Sequence, residues 1–152
     1  MAEEAARVVS GLTPYINVDG ARKAVDFYKS AFGAREIVVM PDEKSGRIMH
    51  AALEINGAPL FLSDYFPDHG YPPVKSQGFN LHLQVDDAEK WWKRAVDAGC
   101  AIVQPLKLQF WGDTYGQLRD PFGVTWAIAT AKEDLTPAEM EERRRKMSGA
   151  HS

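Results

Sequence analysis

Two sets of turn glycines in this chain are separated by one constant offset. Gly33-Ala34, Gly46, Gly57 and Phe61 stand against Gly99-Cys100, Gly112, Gly123 and Ala127, each pair 66 residues apart. Upstream, Val18-Asp19 matches Val85-Asp86 at an offset of 67, so one residue is gained or lost around the first helix. A fixed spacing between turn glycines is what a duplicated supersecondary unit leaves behind. The 152 residues therefore divide into two copies of one unit and whatever lies outside them.

The order of elements agrees between the copies: strand, helix, strand, strand, strand. In the first, Tyr15-Ile16-Asn17-Val18 alternates as a half-buried strand does. Asp19 is the expected N-cap; Ala21, Ala24, Val25, Tyr28 and Phe32 recur at helical spacing, and Gly33 stops the helix. Glu36–Met40 reads as a short strand ended by Pro41, and Arg47–Ile55 and Ala58–Ser63 flank the hairpin dipeptide Asn56-Gly57. The second copy offers Leu81–Val85, a helix carrying Trp91, Trp92 and Ala95 on one face, and Gly99 as its stop. Ala101–Gln104, Tyr115–Arg119, the turn Asp120-Pro121-Phe122-Gly123 and Val124–Thr130 complete it. Trp91, Trp92 and Trp126 are read as core.

The expected layout is an N-terminal extension over 1–11, one domain over 12–130, and a charged helix and tail over 131–152. Within the domain, module one spans 12–63, module two 79–130, and a linker loop rich in Pro, Gly and aromatics covers 64–78. In the tail, Thr136-Pro137-Ala138-Glu139 combines a capping box with Pro at the first helical position. Glu139/Arg143, Glu141/Arg145 and Glu142/Lys146 are i,i+4 pairs in the favourable order, which describes a solvated helix.

Composition narrows the function classes. A formal charge of −3 disfavours sequence-independent nucleic-acid binding, the basic run Arg143-Arg144-Arg145-Lys146 being weakened as a nucleic-acid contact by the acids interleaved with it, and no apolar run reaches the roughly 18 residues a membrane helix needs. Cys100 is the single cysteine, so no intrachain disulfide forms; with an acidic start at Met1-Ala2-Glu3-Glu4, a cytoplasmic protein is expected. Cys100 follows the helix-stopping glycine, a packing position at a strand entry.

Tyr15–Gly33, Asn80–Gly99 and Trp111–Ala127, the last with its Trp-Gly-Asp-x-Tyr-Gly and Asp-Pro-Phe-Gly segments, carry a resemblance. Together with the repeat, they resemble the vicinal oxygen chelate superfamily, which holds glyoxalases, bleomycin-resistance proteins and dioxygenases, and its PhnB-like branch in particular. The resemblance implies an α+β fold of two tandem βαβββ modules forming a cupped mixed sheet around a cavity, here with a C-terminal helix. It also implies a small-molecule ligand and a homodimer. Metal-dependent members place one ligand on the first and one on the last strand of each module. Those positions fall here on Thr13, Phe61, Asn80 and Ala127. Phe61 and Ala127 have no donor atom, and Thr13 and Asn80 are weak neutral oxygens, so the usual metal site is absent and no cofactor is expected.

Strand alternation predicts what lines the cavity instead. Thr13, Tyr15 and Asn17 share one face, with Ile16 and Val18 beneath the helix; Asn80, His82 and Gln84 do the same in module two. Phe61 takes Pro59 and Ser63 with it, and Ala127 takes Thr125 and Ala129. On the third strand Met49, Ala51, Leu53 and Ile55 are expected on the apolar face, leaving His50, Ala52 and Glu54 on the other; the phase of Tyr115–Arg119 is ambiguous. The resemblance, whose corresponding loops lie near the cavity mouth, implies that Phe110 and Trp111 form a lid or pocket wall, or a dimer interface. Tyr65, Phe66 and Tyr71 are further lid candidates.

The expected ligand contacts are thus Tyr15, Asn17, His50, Phe61, Asn80, His82, Phe110 and Trp111. They suit a metal-independent protein of the bleomycin-resistance type that holds an apolar or aromatic ligand. The alternative is a lyase or isomerase using His50 or His82 as general base, with or without a relocated metal held by His50, His82 and Glu54. Asp113 and Asp120 are read as turn-forming rather than catalytic.

Overall fold

The computed structural model describes residues 11–75 and 78–150. They form two units with the same plan, each taken separately below. The first contains β1 (Tyr15–Val18), α1 (Ala21–Phe32), β2 (Arg35–Pro41), β3 (Ile48–Ile55) and β4 (Ala58–Asp64). The second contains β5 (Leu81–Gln84), α2 (Ala88–Ala98), β6 (Ala101–Leu108), β7 (Asp113–Arg119) and β8 (Thr125–Ala131), followed by α3 (Pro137–Ala150). The sheets run β1-β4-β3-β2 and β5-β8-β7-β6, the same permutation twice. In each, the first and last strands are parallel and the other neighbours antiparallel. This is the tandem βαβββ arrangement that the repeat predicts.

In the first unit α1 buries Ala24, Val25, Tyr28, Ala31 and Phe32 on the side where Ile16, Val18, Leu53 and Leu62 close the core. Its start is not built as the sequence suggests. Gly20, not Asp19, occupies the N-cap, in a left-handed conformation (φ 94°), and no local side chain caps the helix. Asp64 at the end of β4 does so instead. Its Oδ1 accepts N–H bonds from Gly20 at 2.9 Å and Ala21 at 2.8 Å, and its Oδ2 accepts one from Ile48 at 2.6 Å. The parallel register, with Val18 opposite Asp64, delivers this carboxylate to the orphan donors at the helix N-terminus, where negative charge is also favoured by the helix dipole. The second unit solves the same problem locally: Asp87 Oδ1 accepts the Lys90 N–H, while Thr130, at the place equivalent to Asp64, donates to the Val85 carbonyl.

Met49 also departs from expectation. Between Met40/Pro41 and their partners His50 and Ile48 the β2–β3 register shifts, so Met49 is the extra residue of a bulge. The phase flips there: Ile48 is buried and Met49 is 57% exposed, outside the apolar face formed by Ala51, Leu53 and Ile55.

In the second unit Trp126 is buried, and its Nε1 donates to Asp120 Oδ2 at 2.9 Å. Asp120 Oδ1 accepts the Phe122 and Val124 N–H groups, so Asp120 is a turn residue as expected. Trp91 and Trp92 are only half-buried. Gly116 makes the room for Trp92: a β-carbon there would lie 2.6 Å from its ring. The tail keeps its capping box, with Glu139 N–H to Thr136 Oγ1 and Thr136 N–H to Glu139 Oε1. Arg143, however, pairs bidentately with Glu133 at 2.7 Å rather than with Glu139, which ties α3 to the strand exit.

Because Asp64 is 8% exposed and serves three backbone donors, Asp64→Ala leaves those donors without a partner. We expect a loss of about 2–4 kcal/mol in urea unfolding, against less than about 0.5 kcal/mol for Asp19→Ala.

Candidate functional site

Each sheet has one face under its helix and one face away from it, and the chemistry-bearing side chains gather on the second. In the first sheet Tyr15, Phe61 and Ala52 are aligned across β1, β4 and β3, with His50 two residues along. The Tyr15 and His50 rings flank Phe61 at 5.9 Å and 5.1 Å, both edge-on. Tyr15 Oη lies 3.1 Å from His50 Nδ1. A phenol can both donate and accept, so this contact serves either tautomer of the imidazole. Asn17 follows on the same face and donates to Ser63 Oγ at 2.6 Å.

In the second sheet His82, Ala127 and Gln117 are aligned across β5, β8 and β7, with Tyr115 two residues along. His82 and Tyr115 stack at 5.9 Å with their planes 25° apart. Gln117 Nε2 donates to Tyr115 Oη at 2.8 Å. The two faces are therefore built on one template with the residues exchanged: Tyr15 and His50 in the first, His82 and Tyr115 in the second. The central position is Phe61 in one and the small, fully buried Ala127 in the other.

A polar chain fixes the second histidine. Gln84 Nε2 donates to Asp113 Oδ2 at 3.4 Å, which leaves Gln84 Oε1 to accept from His82 Nε2 at 2.8 Å. His82 thus carries its proton on Nε2, and Nδ1 is its acceptor nitrogen. Asp113 accordingly begins β7 and joins this face, rather than acting only in a turn. Trp111 meets the Tyr115 ring edge-on at 5.5 Å and Phe110 at 5.0 Å, so an aromatic series runs Phe110–Trp111–Tyr115–His82.

One expected contributor, Glu54, is engaged elsewhere. Glu54 is paired with Arg35 at 2.9 Å across β2–β3. Thr13 and Asn80 lie in the segments just ahead of β1 and β5. Among the described residues no three His, Cys, Asp or Glu side chains form a group able to hold a metal ion. At the four positions where the resemblance puts metal ligands, Thr13, Phe61, Asn80 and Ala127 supply no charged donor and no imidazole. That donor set does not fit a divalent transition metal.

The sequence leaves the phase of Tyr115 and Gln117 unassigned and reads Asp113 as a turn residue, so none of the three is among the expected contacts. The signal was the turn length. Asn56-Gly57 closes the first hairpin, whereas Asp120–Gly123 closes the second, and the longer turn moves β7 by one residue. Ala52 faces Phe61 as Gln117 faces Ala127, so β7 follows β3 at an offset of 65 while β8 follows β4 at 66.

The family model of the Glyoxalase/Bleomycin resistance protein/Dioxygenase superfamily matches residues 7–128. The chain belongs to this superfamily. Among curated proteins it is similar to Rv0887c of Mycobacterium tuberculosis, 36% identical over 143 residues, covering 90% of this chain and 84% of that one. Among solved structures it resembles PA1353 from Pseudomonas aeruginosa, with a TM-score of 0.66 and 26% identity over 82% of this chain and all of the other. The PhnB protein of Bacillus cereus shares the fold, with a TM-score of 0.64 at 20% identity over 80% of this chain and 100% of that one. Within the superfamily's frame, the residues of this chain retain the paired modules and carry aromatic, imidazole and amide groups on the faces away from the helices.

Cys100 takes no part in either cluster. It is buried at the entry of β6, and burial pushes its thiol up to about 12. At neutral pH it is the protonated, unreactive form. The native protein should react with a thiol-specific disulfide reagent only after denaturant is added; rapid stoichiometric labelling of the folded protein would contradict this placement.

Proposed function

We propose that this chain is a metal-independent small-molecule binding protein, of the bleomycin-resistance kind, that takes an apolar or aromatic ligand on the open faces of its sheets. The observation that carries the reading is the residue exchange at the family's ligand positions. Where charged donors would be needed stand Phe61 and Ala127, each flanked by a tyrosine–histidine pair. Rings packed edge-on and stacked favour a planar partner, each contact contributing about 0.5–1.5 kcal/mol beyond simple burial. Each face is polar in its own way: the first carries His50 and Asn17 beside its rings, and the second carries His82, Gln84 and Gln117. Such a lining binds by packing and a few directed hydrogen bonds. A homodimeric, cytoplasmic protein belongs to the same reading. Among the described residues no helix is long and apolar enough to cross a membrane. The edge strand β6 exposes Ile102 and Leu108, apolar surface suited to a second copy.

The test is a thermal-shift screen of the native protein with planar aromatic compounds, since a ligand that binds the folded state raises the melting temperature by mass action. For a compound that does so, Trp111→Ala and His82→Ala should each weaken binding about 2- to 10-fold. Absence of any shift across a broad set, with the protein folded, would overturn the proposal.

One observation favours an enzymatic reading: His82 Nδ1 is an acceptor nitrogen on an aromatic face, which is what a general base requires. A lyase or isomerase of this kind would exchange a carbon-bound proton of its ligand with solvent deuterium, and His82→Ala would stop that exchange. A pure binder leaves the ligand unlabelled.

A further inference from the structure

The first unit carries a cleft apart from its tyrosine–histidine face. Between the turn after β2 and the loop after β4 lies a cleft of about 310 Å³, lined by Asp42, Met49, Phe66, His69 and Tyr71. The size is at the lower end of the range for small-ligand sites, roughly 300–1,000 Å³.

The walls are built before any ligand arrives. Phe66 and Tyr71 exchange two backbone hydrogen bonds, at 2.9 Å and 3.0 Å, around a single 3-10 turn, Pro67–His69, that Gly70 ends. Arg47 clamps this loop to the β2–β3 turn. Its guanidinium donates to the Tyr65 carbonyl and to Asp68, and it lies 4.3 Å from the centre of the Phe66 ring. On the other wall Asp42 accepts from the Ser45 hydroxyl at 2.6 Å and from its N–H at 3.2 Å. The bulge in β3 turns Met49 out of the core and into this lining.

Two aromatic rings, an imidazole, a thioether and one carboxylate make a specific combination. Ring faces are electron-rich and attract a cation whose charge is spread over methyl groups; the polarisable Met49 sulfur tolerates the same surface, and the carboxylate supplies the counter-charge. Arg47, the cation against the Phe66 ring, is hydrogen-bonded to Asp68 and the Tyr65 carbonyl, and its charge also acts on Asp42. His69 Nε2 also lies 3.5 Å from Asp68. An anion would be repelled by Asp42, and a neutral molecule would gain nothing from its charge. We propose that this cleft binds a small organic cation with a methylated ammonium head.

The experiment is an amide NMR titration of the full chain with choline and with tetramethylammonium, beside the uncharged choline analogue in which carbon replaces the ammonium nitrogen. Saturable binding in the millimolar range is expected for both cations, with shifts confined to residues 42–49 and 66–71. The neutral analogue should bind at least about 5-fold more weakly, and Tyr71→Ala and Asp42→Asn should each weaken choline about 3- to 10-fold. Should Asp42→Asn disturb the turn through its lost Ser45 bonds, the exposed Tyr71 ring still provides a variant that leaves the backbone intact. Equal binding of the neutral analogue, no saturation by either cation, or shifts centred elsewhere would overturn the assignment. None of these outcomes depends on the ligand proposed for the sheet faces.

Discussion

The first unit depends on one carboxylate. Asp64 ends β4, opens α1 and anchors β3, because its two oxygens take N–H groups from Gly20, Ala21 and Ile48. A buried carboxylate is costly unless it is fully hydrogen-bonded, and this one accepts three backbone bonds. The parallel β1–β4 pair is thereby locked to the helix that crosses between them. With that pair fixed, Tyr15 must stand opposite Phe61, and Asn17 opposite Ser63. The open face of the sheet follows from the cap on its helix.

The second unit reaches the same topology with different hardware. Asp87 caps α2, Thr130 closes onto Val85, and Asp120 holds the turn and the Trp126 indole. The frame is the same and its fastenings differ, and the open faces differ in a particular way. A tyrosine and a histidine occupy the same two strand positions in both sheets, in opposite order. The residue between them is large in one and small in the other. Phe61 fills the first face and leaves the Tyr15–His50 hydrogen bond at its margin; Ala127 lets His82 stack directly on Tyr115. The outcome is two chemically related surfaces, one with a large ring between its tyrosine and histidine and the other with a methyl group.

Much of this was legible in the glycines. Their constant offset predicts two copies of one unit, and the change from 66 to 67 predicts a one-residue difference in the helices. That difference is present: α1 has 12 residues and α2 has 11. Strand alternation placed Ile16 and Val18 beneath the helix and Tyr15 away from it, as the burial pattern shows. What was not legible came from events of a single residue. The bulge at Met49 reversed a phase, and the longer Asp120–Gly123 turn moved β7 by one, enough to send every side chain to the opposite face. Long-range capping was equally hidden, since nothing near Asp19 in sequence says that Asp64 will take its place. Arg143 likewise chose Glu133, ten residues away, over a partner on its own helix. Local spacing reports candidates for an interaction, while tertiary register decides among them.

The central claim is that this member of the superfamily binds its ligand through aromatic and neutral polar groups, without a resident metal. Elemental analysis of protein purified without chelator, repeated after His50→Ala and His82→Ala, addresses it most directly. The account predicts metal far below one equivalent per chain, unchanged by either substitution. One equivalent of a divalent metal that survives dialysis and disappears with His50→Ala or His82→Ala would contradict it.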